Sequence, residues 1–553
     1  MEGKEIIGRE FRFGYHLPAI PDKRKDTHVI KEILHYSDGT TEPQLRILED
    51  FKRPFWITKE HYKKHKEKKE SESLEHVNKY FATESDLPKE VLSRLGGMYN
   101  GKKTRRDATA SPYVYGLDVD ALTMMKQYYT TRYPDCTTPY SIATLDTEVD
   151  IDTNTLIIIS VACEEEIYVA ILADFVQNRS DIDRQLNYLF KNNIPECDLK
   201  EKIVAHFETF DNEMDMIRAA FKKLHSWKKD FAAIWNISYD IKVILGICEK
   251  FNVDPKDIFS DPSLPENLRE FKWIEGQIQK VTESGKMKPL EPREQWHCVH
   301  SPSSMYWIDM MSAYNFVRVG GKNVPGGYKL DNILNYELGS SYKKLKFKDE
   351  NTSILEGTID WHKYMVSKKP LEYVIYNCWD SMSMLALDKK TQDLSISLPL
   401  LSGPSSFNIF NSGPKKLVNE MHFFYLENGL VLGTKGPSVD DDKLLSLDNW
   451  IVLLPNFNVS NKEYDYLSDA KHITNNIRMM VADSDQSSGY PSDTLAANVS
   501  KDTTMRELLS VEGLEKEEFK LNNINLMFGK VNHIDYVSRM MKFPTLRELC
   551  KGR

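Results

Sequence analysis

Cysteine pairs are missing from this chain of 553 residues. Its seven cysteines (136, 163, 197, 248, 298, 378 and 550) are scattered, with no C-x-x-C. That argues against a thiolate-built structural zinc site and fits a reducing compartment, the cytoplasm. No run approaches the ~20 apolar residues a membrane-spanning helix needs, so no membrane partner is expected. The opening MEGKEIIGRE is charged and lacks the apolar core of a secretory signal. Internal repeats and low-complexity tracts are also absent.

Positive charge is not in excess either. The formal net charge is −9, which still permits a nucleic-acid partner, because phosphates are met by local patches and not by the total. Two patches exist: Lys63, Lys64, Lys66, Lys68 and Lys69, and Lys102, Lys103, Arg105 and Arg106. The bland reading of the first is a solvated helix face and of the second a loop. Composition is that of a soluble globular protein, 41% hydrophobic and 28% charged. The length exceeds what one core can serve and implies about three or four domains.

Along the chain, residues 1–138 mix strand-like pieces (IIGREFRFGY, THVIKEILHY) with a charged helical stretch near 59–71. From 139 the texture changes. SIATLDTEVD, TLIIISVAC and EIYVAIL read as three adjacent strands separated by turn-prone or acidic breaks. KDFAAIW reads as another strand, and YDIKVILGICEKF has helical apolar spacing. Residues 271–296 suggest a hairpin turning at Ser284-Gly285. PLEYVIYNCWDSMSMLALDKKTQDL reads as a long helix, followed by a Pro/Ser-rich break, the helix KKLVNEMHFFYLENG, and a last segment from 437.

Chemistry concentrates in four acids that lie in or beside apolar stretches: Asp146, Glu148, Asp240 and Asp380. Carboxylates are costly to bury unless something pairs with them. Asp146 and Glu148 are two apart on a strand, so they share a face. Asp240 follows a strand and opens a helix. Tyr376 and Asp380 are i and i+4 on one helix face. If that helix packs on the strand, the four acids converge as hard oxygen ligands for two Mg²⁺ or Mn²⁺ ions. Such a pair activates a water and stabilises a leaving 3′-oxygen, with Tyr376 placed to orient the water. Each element alone is weak, since a lone D-x-E is usually solvated surface; the ordered set is far more specific.

That ordered set resembles the proofreading 3′–5′ exonuclease of DnaQ-like enzymes, and more closely family B DNA polymerases of the T-even bacteriophage type. LDTEVD, WNISYD and YNCWD match the three exonuclease motifs. The second departs from the usual family B pattern, because Asn236 and Asp240 keep the shorter DnaQ spacing. The resemblance implies an α/β (α+β multidomain) chain: a mixed α/β N-terminal domain over 1–138, an RNase H-like exonuclease domain with a mixed sheet over 139–392, a returning segment of the N-terminal domain over 393–436, and a partial palm over 437–553. It assigns Asn236 to DNA contact and the 271–296 hairpin to separating primer from template. Catalysis falls to Asp146, Glu148, Asp240, Tyr376 and Asp380.

Asp485, Ser488, Tyr490 and Pro491 fit D-x-x-S-x-Y-P, which resembles the first palm motif of family B polymerases. The resemblance makes Asp485 a metal ligand, places Ser488, Gly489 and Tyr490 at the incoming dNTP, and gives Tyr490 the task of rejecting a 2′-hydroxyl. The family's K-x-x-x-N-S-x-Y-G helix and D-T-D turn do not follow, and residues 491–553 hold no D-x-D. Asp118 and Asp120 resemble that turn only superficially. The chain is thus expected to need a second polypeptide carrying fingers, remaining palm and thumb for DNA synthesis in viral replication. The alternatives are a stand-alone 3′–5′ DNA exonuclease with a vestigial palm, and a non-catalytic nucleic-acid-binding or regulatory module. DNA, as a single-stranded primer 3′ end, is the expected partner.

Overall fold

The three apolar runs of residues 142–172 fold as neighbouring strands because each is too short and too β-branched for a helix. In the computed structural model they are β8 (Ile142–Asp150), β9 (Thr155–Ala162) and β10 (Glu166–Leu172). The structure describes residues 4–434 apart from 66–67, 97–107, 178–180, 283–284, 319–325, 346, 348–356 and 398–412. Contacts divide the chain into Met1–Gly436 and Pro437–Arg553; the described residues belong to the first unit.

The first half of that unit is antiparallel. Strands β1 (Ile6–Leu17), β2 (Thr27–Tyr36) and β3 (Thr41–Glu49) form one sheet in the order β1-β2-β3. Strands β4 (Arg53–Thr58), β6 (Val77–Ala82) and β7 (Val114–Tyr115) form a second in the order β6-β4-β7. The chain returns here late: β18 (Leu430–Leu432) pairs antiparallel with β5 (Ser71–Ser73). Helix α1 (Ala121–Arg132) starts at Asp120, whose carboxylate caps the N–H of Thr123 at 2.8 Å. Asp120 is therefore a helix cap.

The stretch near 59–71 differs from the helix expected of it. Its described residues hold one 3₁₀ turn, Glu60–Tyr62, and β5 begins at Ser71. Lys63 pairs with Glu60, Lys69 pairs with Glu72, and Lys68 Nζ reaches the Thr434 carbonyl at 2.9 Å. Like charges on one face disfavour a helix, and acids three residues away and backbone carbonyls of distant segments take up the ammonium groups instead. The second basic patch lies outside the described residues.

Strands β11 (Val204–Phe210), β12 (Phe231–Ile234) and β17 (Tyr306–Asp309) complete a six-stranded mixed sheet ordered β11-β10-β9-β8-β12-β17. Strand β9 runs antiparallel to both neighbours, whereas β12 is parallel to β8 and to β17. Helices cover both faces, which is why β9 reads as an unbroken apolar run. On one face, α2 (Glu213–Trp227) and α3 (Ile237–Lys250) pack on Leu145, Val149, Leu156, Ile159 and Val161. On the other, α5 (Pro370–Thr391) and α4 (Ile359–Lys368) pack on Ile157, Ile158 and Ala162. Helix α5 is buried from Leu371 to Asp388 except at Glu372. It approaches the sheet through small polar contacts: Thr144 Oγ1 donates to the Ser381 carbonyl at 3.0 Å, and the hydroxyls of Ser160 and Ser381 lie 2.7 Å apart.

The hairpin is present and nested. Strand β13 (Lys272–Ile274) pairs with β16 (Cys298–His300), and within it β14 (Gln279–Val281) pairs with β15 (Met287–Pro289). Gly285 takes φ +77° at the turn, where a side chain would be strained. No helix among the described residues is long and apolar enough to cross a membrane.

Candidate metal centre

Strand alternation puts Thr144, Asp146 and Glu148 on the face that meets α5. Asn377 Nδ2 donates to Asp146 Oδ2 at 2.6 Å, and the Tyr373 hydroxyl donates to Glu148 Oε2. Beside Glu148 the pairing slips: Glu148 faces Ile158 and Val149 faces Leu156, so Ile157 is an extra residue in β9. Such a bulge bends and twists the strand locally.

Along α5, Tyr373, Tyr376, Asn377 and Asp380 follow one another at i, i+3, i+4 and i+7, one stripe of the helix. That stripe brings Asp380 to the pair on β8. One carboxylate oxygen from each of Asp146, Glu148 and Asp380 lies within 4.8 Å of the other two.

Asp240 arrives differently. Its helix, α3, packs on the opposite face of the sheet. Strand β12 pairs with β8 only as far as Thr144 and ends at Ile234, leaving the edge of β8 open beyond it. Asp240 fills that gap: its Oδ1 accepts the Thr147 N–H at 3.0 Å and the Thr147 hydroxyl at 2.6 Å. It stands outside the close trio but near enough to raise the pKa of Asp146.

Lys344, in the segment before α4, is the cation of the pocket. Its ammonium pairs with Asp380 Oδ2 and donates to the Tyr376 hydroxyl at 3.0 Å. Its backbone is held by Asp331, which accepts the Lys344 N–H at 2.8 Å. His362 Nδ1 lies 2.7 Å from the Tyr373 hydroxyl.

Four carboxylates therefore share one ammonium among the described residues, and their acidities reflect it. Burial, then Asp240, Asp380 and Glu148, push Asp146 well above the usual carboxylate range. Burial lifts Glu148 to about 8 against the hydrogen bond from Tyr373. Burial raises Asp240 to about 7 in spite of its bonds from Thr147. Asp380 is also raised, by burial, although Lys344 opposes it. Lys344 loses by burial but gains more from Asp380, Tyr376 and Asp146, and is held well above its usual value. Among the described residues no donor reaches the buried Asp380 Oδ1.

No protein-family profile matches this chain, and no curated protein matches it.

Of the residues singled out in sequence, Asp146, Glu148, Tyr376 and Asp380 meet in one pocket, with Asp240 at its margin. Asn236 is exposed at the start of α3 and makes no capping bond with its side chain. Asp309 caps that helix instead, accepting the Ile237 N–H at 3.1 Å. Asp485, Ser488, Gly489 and Tyr490 lie outside the described residues. Thr147, Lys344, Tyr373 and Asn377 went unnoticed in sequence. The helical spacing of Tyr373 and Asn377 from Asp380 was the signal for those two. Lys344 carried none.

The acidic trio can hold a metal ion. Its donors are all carboxylate oxygens, which suits hard divalent cations.

Proposed function

We propose that this pocket is the two-metal site of a 3′–5′ DNA exonuclease, with an RNase H-like fold and Mg²⁺ or Mn²⁺ as its ions. The observation that carries the reading is the convergence of Asp146, Glu148 and Asp380 within 4.8 Å. The donor set fits the ions: among the described residues Asp380 Oδ1 is buried without a donor, and four acids face one ammonium. The mixed sheet and the order of the three motifs support the same reading.

Asp146, Glu148, Asp240 and Asp380 would hold the ions. When bound, they supply a water of lowered pKa and charge stabilisation for the leaving 3′-oxygen. Thr147 fixes Asp240 by two hydrogen bonds, and Tyr373 and Asn377 fix Glu148 and Asp146, so the acids are positioned before any ligand arrives. Tyr376, held by Lys344, offers a hydroxyl to the reacting centre. Burial of α5 shields the Asp380 side of the pocket from solvent, which strengthens the charge interactions there.

The test is degradation of 3′-terminal single-stranded DNA in Mg²⁺. Asp146→Ala or Asp380→Ala should lower the rate on the order of 10³-fold or more, with an unchanged circular-dichroism spectrum. Either variant retaining wild-type activity overturns the metal assignment.

A part in templated DNA synthesis rests on the motif of residues 485–491, with Asp485 as ligand and Ser488, Gly489 and Tyr490 at the dNTP. Primer extension with a polypeptide carrying fingers and thumb tests it; no extension with such a partner removes it.

A further inference from the structure

A second cluster of ligating side chains lies in the first sheet. Strands β1 and β2 place His16 directly opposite His28. The two rings share a face and stack with centroids 4.7 Å apart and planes 23° from parallel. Asp26, one residue before β2, turns its carboxylate to the same point. His16 Nε2 lies 3.2 Å from both carboxylate oxygens, and His28 Nδ1 lies 3.9 Å from Oδ1. One donor atom from each of the three residues is within 4.8 Å of the other two. The N–H of Ser85 fixes Asp26, donating to Oδ2 at 2.7 Å.

His28 is the informative member. Its side chain is 0% exposed, and among the described residues neither ring nitrogen has a hydrogen-bond partner. A buried imidazole ordinarily finds a partner for its N–H or its lone pair, yet this one has neither and one of its nitrogens faces a carboxylate. Phe51 packs edge-on against the ring and offers no polar atom. His16 remains partly open, 28% exposed, which leaves a way in from solvent.

We propose that His16, Asp26 and His28 bind a divalent first-row transition ion of the zinc class, with water completing the coordination. Two imidazoles and one carboxylate are a common donor set for such ions and a poor one for Mg²⁺. Tetrahedral donors about 2.0–2.1 Å from zinc stand roughly 3.3–3.5 Å from one another. His16 and Asp26 are already near that spacing; His28 Nδ1 stands about half an ångström beyond it from Asp26 and within 4.8 Å of the His16 donor. The donors differ from those of the acidic pocket, so the two sites sort ions by hardness. Bound here, the ion ties the end of β1 and the start of β2 to the segment around Ser85 and adds its binding energy to the stability of that sheet.

The experiment uses the full chain, stripped with chelator and titrated with Zn²⁺ under excess Mg²⁺, which occupies the oxygen donors. Metal retained after gel filtration is counted, and the melting temperature is followed in parallel. Wild-type protein should keep one equivalent of zinc and melt at a higher temperature with it. His16→Ala, at the partly open position, and His28→Gln should each weaken retention roughly tenfold or more, while Asp146→Asn keeps it. If His28→Gln fails to fold, His16→Ala decides alone. Wild-type protein keeping no more zinc than His16→Ala overturns the proposal. So does zinc that disappears in Asp146→Asn and persists in His16→Ala.

Discussion

A single buried aspartate and the four-acid pocket lie close to the same sheet and behave in opposite ways. Asp230, just before β12, is 1% exposed. Lys31 Nζ stands 2.8 Å from its Oδ1 and Arg12 Nε 3.6 Å away, while Ser141 donates its N–H and hydroxyl to Oδ2 at 2.8 and 2.9 Å. Burial pushes Asp230 up, but Lys31 and Arg12 more than offset it, and its carboxyl ends below the usual range. Lys31 is itself drawn down to about 8 by burial. In the acidic pocket every carboxyl is raised, first of all by burial, and the one ammonium there does not offset it. The first sets two cations against one acid and joins β2 to the central sheet. The second is short of positive charge, which is what makes it a candidate for a cation from outside.

The largest expected effect breaks the Asp230 cluster. Lys31→Met leaves Asp230 short of its nearest charge in a dry site and should lower unfolding stability by about 3–5 kcal/mol. Asp146→Asn relieves repulsion and should change the metal-free stability by less than about 1 kcal/mol. Urea unfolding of both variants measures the contrast, and equal losses would erase it.

Next in size is the dependence on pH, where the two groups have opposite signs. Glu148 and Asp240 have folded values of about 8 and 7, above their unfolded ones. The folded state then binds more protons than the unfolded state between those values. Without metal, stability should therefore fall as pH rises from about 5 to 8, on the order of 1–2 kcal/mol once solvent around the half-buried Glu148 is allowed for. Mn²⁺ should flatten that slope. Asp230, whose folded value is lowered, contributes stability that is present above the ordinary carboxylate range and is lost as pH falls through its own value. Melting curves from acid to pH 8, with EDTA and with Mn²⁺, separate the two; a rise in metal-free stability toward pH 8 would contradict the charge deficit.

The smallest effect sharpens the pocket from within. Tyr373→Phe removes one hydroxyl from Glu148, a loss of about 0.5–1.5 kcal/mol in the hydrogen bond. Mn²⁺ binding should weaken roughly 2- to 10-fold by the same energy, with the fold retained. Titration calorimetry reads it, and unchanged affinity would mean that Tyr373 does not position Glu148.

Most of the central sheet was legible in sequence because strand and helix periods are local properties of the backbone. β8, β9, β10 and α5 stand where apolar runs and turn residues put them, and Gly285 marks the hairpin turn. The sharing of a face by Asp146 and Glu148 was equally legible, as was that of Tyr376 and Asp380. Asp240 was placed correctly at a helix start, but its route to the pocket was not: it depends on β12 stopping short of Thr147. The stretch of 59–71 misled because a run of charge reads as a solvated helix face, whereas its lysines meet acids three residues away and carbonyls of distant segments.

Residue types and their local spacing determined three things by themselves: a mixed α/β chain, an acidic pair on one strand face, and an acid one helical turn after a tyrosine. Tertiary structure decided which charges meet. Lys344 reaches Asp380 from 36 residues away, Lys31 reaches Asp230 from 199, and His16 faces His28 through strand register. Electrostatic energy depends on distance and burial, and both are set by how distant segments pack rather than by their order along the chain.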